Sequence, residues 1–177
     1  MWVPTLLGLE PEGGVPTGAI FSAMMMSITI GGMIYPYLQA SFSRILAKSP
    51  DEACAAFVYA LAGCSMAVPA LALSVSSTAK SNFGSILASF MVVECCVGLF
   101  MPVAGTLRSK YVPDALQGAI LNIFRLPLNA VVVLGTHATD VLEPATVFSL
   151  VSTSFLMAAL LQISMMDKES KKVAKQD

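Results

Sequence analysis

Two ionisable side chains interrupt apolar stretches that are long enough to cross a membrane. Glu94 lies in the stretch from Asn82 to Leu107, and Arg125 in the stretch from Ala115 to Thr136. A charge in hydrocarbon is costly unless it is paired, faces a cavity or binds a ligand. Each lies about three helical turns from the loop between the two stretches, so antiparallel helices would place both at one depth. These residues are our first candidates for a functional site.

The residues around Arg125 repeat with the period of a helix. Gly118, Asn122, Arg125 and Asn129 are spaced i, i+4, i+7 and i+11, which places them on one side of a helix. Pro127 removes a backbone donor there, and membrane helices tolerate this where a cavity or polar neighbour compensates. The spacing predicts a polar face that could line a binding cavity near mid-membrane.

Two interpretations of these charges remain open. In the first, Arg125 offers a permanent positive charge and a planar fork of donors to an oxyanion, with Asn122 and Asn129 as neutral donors. Glu94 is then a counter-ion or proton carrier, and all four are candidate substrate-binding residues. In the second, Glu94 and Arg125 pair to hold two helices in register. One pair can do both.

The composition sets the class of protein that must position these residues. Hydrophobic residues make up 56% of the 177-residue chain, charged residues only 12%, and the mean hydropathy is +0.76. A soluble domain of this size needs more charge to cover its surface. The net charge of -1 argues against nucleic acid as a partner. We therefore predict a protein of the lipid bilayer.

The apolar stretches give the architecture. A spanning helix needs about 20 predominantly apolar residues. We predict an all-α, polytopic membrane helix bundle over residues 15–166 with about five complete transmembrane helices, near 15–37, 53–75, 82–105, 115–136 and 144–166.

Basic residues predict the orientation, because they are retained on the cytoplasmic side of a membrane. Residues 1–14 contain no Lys or Arg, whereas Arg44 and Lys48 follow the first span and Arg108 and Lys110 the third. Residues 167–177 form a Lys-rich tail. We expect the C-terminus to be cytoplasmic, and the loop at Arg108 to be a topology anchor and gating contact.

The N-terminal segment has two interpretations. Residues 1–9 are typical of the end of an incomplete apolar span, followed by an outer loop to residue 14, with Trp2 at an interface position. This favours a fragment or a truncated gene model, and the alternative is a simple extracellular start. A basic n-region and a small-residue cleavage site, which a signal peptide needs, are absent from this segment.

Other chemistry has little support in the sequence. The cysteines lie inside spans or at a span end, without the paired spacing of a zinc site, and His137 falls in the outer loop. Met24, Met25, Met26 and Met33 are adaptable filler rather than a copper site, since His or Cys at ligand spacing is lacking. We predict that the chain is not an enzyme and binds no metal or cofactor.

Small side chains predict close helix packing. Ala19, Ala23, Ser27 and Gly31 recur every fourth residue on one face of the first span. On the third span Glu94, Gly98, Pro102 and Gly105 share a face, where the glycines permit close approach. An alternative function follows from these faces: a non-transporting membrane subunit that packs with a partner and scaffolds it.

Three runs of residues resemble the C-terminal half of the molybdate-anion transporters of the major facilitator superfamily. They are Glu94-Cys95-Cys96-Val97-Gly98-Leu99-Phe100-Met101-Pro102, Leu107-Arg108-Ser109-Lys110-Tyr111-Val112-Pro113, and Leu121-Asn122-Ile123-Phe124-Arg125-Leu126-Pro127-Leu128-Asn129. The last run is the most specific. Trp2 to Leu6 and Gly18 to Ser22 resemble the seventh and eighth spans of that family.

The resemblance implies a partial major facilitator fold. The family's fold has twelve spans in two six-helix halves and moves molybdate by alternating access, with both termini in the cytoplasm. This chain would supply spans eight to twelve and the end of span seven, and its partner would be a missing N-terminal six-helix half. We expect molybdate uptake at the plasma membrane, although the donors would equally suit sulfate or phosphate.

Overall fold

Six helices form the chain in the computed structural model, which describes residues 2–9, 14–46, 49–75 and 82–173, with side chains as far as Met166. They are α1 (Trp2–Gly8), α2 (Thr17–Ile45), α3 (Pro50–Ser74), α4 (Phe83–Tyr111), α5 (Asp114–Val141) and α6 (Pro144–Val173). All but α1 are long and apolar enough to cross a membrane. The predicted all-α class with five spans is confirmed. Lys48 and the last four residues of the tail, on which the predicted orientation partly rests, lie outside the described residues.

The helices run beyond several of the predicted apolar stretches. α2 continues past Tyr37 to Ile45, and α4 continues to Tyr111 with basic residues in its last turn. Hydropathy marks where hydrocarbon ends, whereas backbone hydrogen bonding continues until a breaking residue or tertiary contact stops it. For this reason His137, expected in a loop, lies within α5.

Four helices make the packed bundle. α3 packs along α6, α2 packs along α4, and α3 also contacts α4. The side chains buried between these four helices and α1 form a core cluster that includes Leu6, Ile20, Met24, Met66, Ile86, Phe90 and Phe148. α5 is different, because it contains no buried residue and packs along none of α1 to α4. The bundle therefore leaves one complete span, α5, uncovered along most of its length.

Glycines set the crossing of α2 and α4. A Cβ atom at Gly31 would overlap the carbonyl oxygen of Cys95, and one at Gly98 would overlap the carbonyl oxygen of Ile28. The predicted close approach at these two glycines is therefore confirmed. It does not extend along both faces as expected: Ala19 is exposed, and a Cβ at Gly105 meets nothing within 4 Å. The helices separate away from the crossing point.

Hydrogen bonds and ring contacts hold the neighbouring helices. Between α2 and α4, the Tyr35 hydroxyl lies 2.8 Å from Thr106 Oγ1. Between α3 and α6, Ser152 Oγ donates to the Gly63 carbonyl oxygen over 2.7 Å. The rings of Phe90 and Phe148 lie 5.6 Å apart and join α4 to α6. These contacts fix the helices that surround Glu94.

Candidate functional site

The polar stripe of α5 lies open along the helix. Gly118, Asn122, Arg125 and Asn129 are all exposed, and a Cβ at Gly118 would meet no atom within 4 Å. α5 continues without a break through Pro127. The stripe thus presents one guanidinium and two carboxamides on one side of a membrane-length helix, and in hydrocarbon such groups need a polar partner.

Glu94 lies on α4 and faces a cavity rather than the polar stripe. It is half-buried and lines a cavity of about 250 Å³ together with Trp2, Met24, Met66, Phe148 and neighbouring apolar residues. Among the described residues the structure shows no hydrogen bond or ion pair to this carboxyl group. The carboxyl group is therefore surrounded largely by apolar side chains.

The structure does not bring Glu94 and Arg125 together. α5 does not pack along α4, and no ion pair joins the two residues within the described ranges. The sequence places them at similar depth, but depth along two helices says nothing about rotation about each axis. Asn122, Arg125 and Asn129 share a face, as the spacing predicts, and Glu94 lies apart from them.

A buried polar cluster that we did not predict lies where α3 begins and α4 ends. Glu52 is fully buried, and its Oε1 accepts hydrogen bonds from Lys110 Nζ over 2.6 Å and from the hydroxyl of Tyr111. Glu52 Oε2 has no partner among the described residues. Gln39 of α2 donates to the adjacent Asp51 over 2.9 Å. The cluster ties the ends of three helices together.

The sequence contained a usable signal for this cluster. Glu52 lies in the first turn of α3, where the helix dipole stabilises a carboxylate. Lys110 lies in the last turn of α4, where the dipole stabilises a positive charge. Consecutive antiparallel spans place those two turns at the same membrane face. Charges at span ends are ordinarily solvated, which is why sequence reasoning passed over the carboxylate. The expected gating contact at Lys110 has a partner in Glu52, while its role in gating stays a prediction.

Replacing Lys110 by methionine should destabilise the bundle, because it leaves the buried charge of Glu52 with one fewer donor. Removing one partner of a buried pair costs about 3–5 kcal/mol. We expect the low end of that range, since the Lys110 side chain is 31% exposed. Thermal unfolding in detergent measures the effect, with Lys110→Arg as the variant that retains the charge. An unchanged midpoint for Lys110→Met would contradict the assignment.

Thiols and metal-ligand groups do not form a second site in the described part of the chain. Cys54 and Cys96 are buried, Cys64 is exposed, and all four cysteines are free. No group of three or more His, Cys, Asp or Glu side chains in the described ranges could hold a metal ion. A cavity of about 280 Å³ between α3, α4 and α6 is lined by apolar and aromatic residues, with Cys96 among them.

The sequence is similar to several curated proteins that carry one name. It is 28% identical over 169 residues to a molybdate-anion transporter of Xenopus tropicalis, covering 93% of this chain and 35% of the relative. The Xenopus laevis protein of that name is 27% identical over the same share of both chains. The Takifugu rubripes protein is 28% identical over 138 residues, which are 78% of this chain and 26% of the relative.

These relatives are named as transporters, not as enzymes. The chain spans about a third of the length of the curated relatives it matches. No family model matches the sequence. No solved structure matches it either.

Proposed function

We propose that this chain is part of a membrane transporter that takes up molybdate or a similar tetrahedral oxyanion. The observation that carries the proposal is the exposed stripe of α5, where Arg125 lies between Asn122 and Asn129 on a membrane-length helix. The proposal is also supported by the relative named molybdate-anion transporter, which is 28% identical to this chain over 93% of the chain's length.

The chemistry of the stripe suits a tetrahedral dianion. A guanidinium can donate two parallel hydrogen bonds to neighbouring oxygens and stays charged in any accessible environment. Asn122 and Asn129 lie about one turn to either side of Arg125, so their amide groups can donate to other oxygens of the same anion. Because these donors are exposed, an anion can leave the stripe as well as bind to it. Sulfate and phosphate offer the same oxygen geometry, so the stripe supports tetrahedral oxyanions as a class. The choice of molybdate within that class rests on the names of the relatives.

Further spans are needed to enclose this site. α5 is exposed on every side, and its arginine lies where only a cavity or another polar helix makes the charge tolerable. The relatives are about three times as long as the matched segment. We infer that a second set of spans, of the kind found in the N-terminal six-helix half of a major facilitator protein, packs against α5 and closes the cavity.

The charges at the helix ends support an orientation with the C-terminus in the cytoplasm. Arg44 ends α2, and Arg108 and Lys110 end α4, so basic residues collect at one face of the bundle. The opposite face carries Asp140, in the last turn of α5, and Glu143, between α5 and α6. By the positive-inside rule the first face is cytoplasmic. We propose the plasma membrane as the site of uptake.

The competing function, a non-transporting scaffold, has lost its main support. It required small-residue faces free to receive a partner, whereas Gly31 and Gly98 are used inside the chain at the crossing of α2 and α4. Ala19 and Gly105 stay open on those faces, but a scaffold does not explain the arginine on the open stripe of α5.

A chimera tests the proposed function. The matched segment of the Xenopus tropicalis relative is replaced by this chain, and uptake of labelled molybdate is measured in cells or proteoliposomes. We expect uptake that sulfate in excess reduces, because both anions present similar oxygens to Arg125. The intact relative is the positive control, and the relative lacking the segment is the negative control.

The proposal fails if the chimera inserts and folds like the intact relative but takes up no more molybdate than the deletion. Expression of this chain alone gives a second arm. We expect insertion without uptake from it, since the proposed second set of spans that closes the cavity is then absent.

A further inference from the structure

The cavity at Glu94 is bounded by helices from every part of the packed bundle. Besides α4 itself, α1, α2, α3 and α6 contribute Trp2, Met24, Met66, Phe148 and Val151. None of these side chains ionises. The cavity has a volume of about 250 Å³, which is room for a few water molecules around the carboxyl group. Glu94 is only half-buried, so its oxygens are also reachable from outside the bundle.

The surroundings favour the neutral form of this carboxyl group. An ionised carboxylate among apolar side chains loses its hydration, and the described residues give it no hydrogen bond or ion pair in return. Along the chain, the charged residues nearest to Glu94 are Lys80 and Arg108, each fourteen residues away. On the side of α6, Glu143 lies one turn before Val147, which lines the cavity. Arg125 is on a helix that does not pack along α4.

Glu94 lies deep in its span, where solvation of a charged side chain at the protein surface does not explain the carboxyl group. It lies near the middle of α4, whose apolar window has a mean hydropathy of 2.2, the highest of the five spans. A glutamine or leucine would fill the same space without the penalty of charge. An ionisable group kept in such a position is suited to gain and lose a proton.

We propose that Glu94 is a proton-binding site through which proton movement is coupled to oxyanion transport. The inference rests on the proposed function and deepens it. On protonation the carboxylate takes one proton from the aqueous phase and becomes a neutral carboxylic acid, and it returns the proton on the other side of the membrane.

Charge balance gives the reason for coupling. A dianion bound at Arg125 with Glu94 ionised brings the two sites to a net charge of about -2, and protonation reduces this to about -1. Proton binding and oxyanion binding should therefore favour each other, and thermodynamic linkage makes the effect reciprocal. Because the carboxyl group lies apart from the polar stripe, it need not touch the anion to act in this way.

The test separates exchange from accumulation. The chimera is reconstituted in liposomes, and labelled molybdate is followed first in equilibrium exchange at equal pH and then with an inward proton gradient. With a gradient of one pH unit and one proton moved per anion, we expect accumulation to rise by about tenfold, because one pH unit is a tenfold ratio of proton concentration. Glu94→Gln should lose that stimulation while keeping exchange. Glu143→Gln removes an exposed carboxyl at a span end and should behave like the unsubstituted chimera.

Each outcome decides a different claim. Gradient stimulation that persists in Glu94→Gln overturns the proton site, with the transporter intact. Absence of exchange in the unsubstituted chimera overturns the proposed function and the coupling with it. If Glu94→Gln fails to insert, a pH dye inside liposomes of the unsubstituted chimera decides: entry of protons with molybdate supports the site, and an unchanged internal pH overturns it.

Discussion

Replacing Arg125 by glutamine is expected to abolish oxyanion uptake by the chimera. The substitution removes the only permanent positive charge of the polar stripe and with it two or more hydrogen bonds to a charged ligand, each worth about 1.5–3 kcal/mol. Uptake should fall by roughly a hundredfold or more, since about 1.4 kcal/mol corresponds to a factor of ten. Initial rates of labelled molybdate uptake, normalised to inserted protein, measure the loss.

Two further variants test whether the loss comes from the charge and donor geometry of Arg125. Arg125→Lys retains the charge but not the planar fork, so we expect an intermediate rate with a raised Michaelis constant. Arg44→Gln removes an exposed arginine at the end of α2 and should leave uptake unchanged. Arg125 would have no role in binding if Arg125→Gln inserted normally and transported at the unsubstituted rate. Failure of both Arg125 variants to insert would instead favour a structural role for this side chain.

Replacing Gly98 by alanine should destabilise the protein by forcing α2 and α4 apart at their crossing. Its new Cβ would meet a backbone carbonyl oxygen of α2, which cannot rotate away as a side chain could, so the two helices must separate. Overpacking of a tight contact costs about 1–3 kcal/mol, and leucine at this position should exceed that range. Thermal unfolding in detergent of the chimera or the single chain measures the change.

Gly105 provides the matched control on the same helix. A Cβ there would meet no atom within 4 Å, so Gly105→Ala should stay within about 0.5 kcal/mol of the unsubstituted protein. The crossing would be assigned wrongly if both alanine variants unfolded at the same temperature. A destabilised Gly98→Ala that still transports would show that the crossing supports the fold and not the site.

Hydropathy predicted the helices well because lipid imposes a simple length on any span. It did not predict their ends: α2 and α4 continue into regions of mixed polarity, where tertiary contacts and breaking residues set the limit. The prediction of close packing succeeded at Gly31 and Gly98 but not at Ala19. Periodicity identifies a face of a helix, whereas the crossing angle decides how much of that face touches a neighbour.

In the candidate site, too, features within one helix were predicted correctly and relations between helices were not. Spacing on one helix placed Asn122, Arg125 and Asn129 on a common face, since the geometry of a single helix is fixed by its period. The relation of Arg125 to Glu94 depends on two helices, and the structure leaves them apart. Glu52 was missed for the complementary reason: its burial arises from the meeting of two helix ends that are far apart in the sequence.

The exposure of α5 also has a consequence for how the chain enters the membrane. An arginine near the centre of a span opposes insertion by about 2.5–3.5 kcal/mol, while each leucine, valine or phenylalanine favours it by only about 0.3–0.6 kcal/mol. The most apolar stretch of α5 has a mean hydropathy of 1.6, against 2.2 for that of α4. Its retention during synthesis should depend on the spans that flank it, and copies that find no partner spans should be degraded faster than assembled ones.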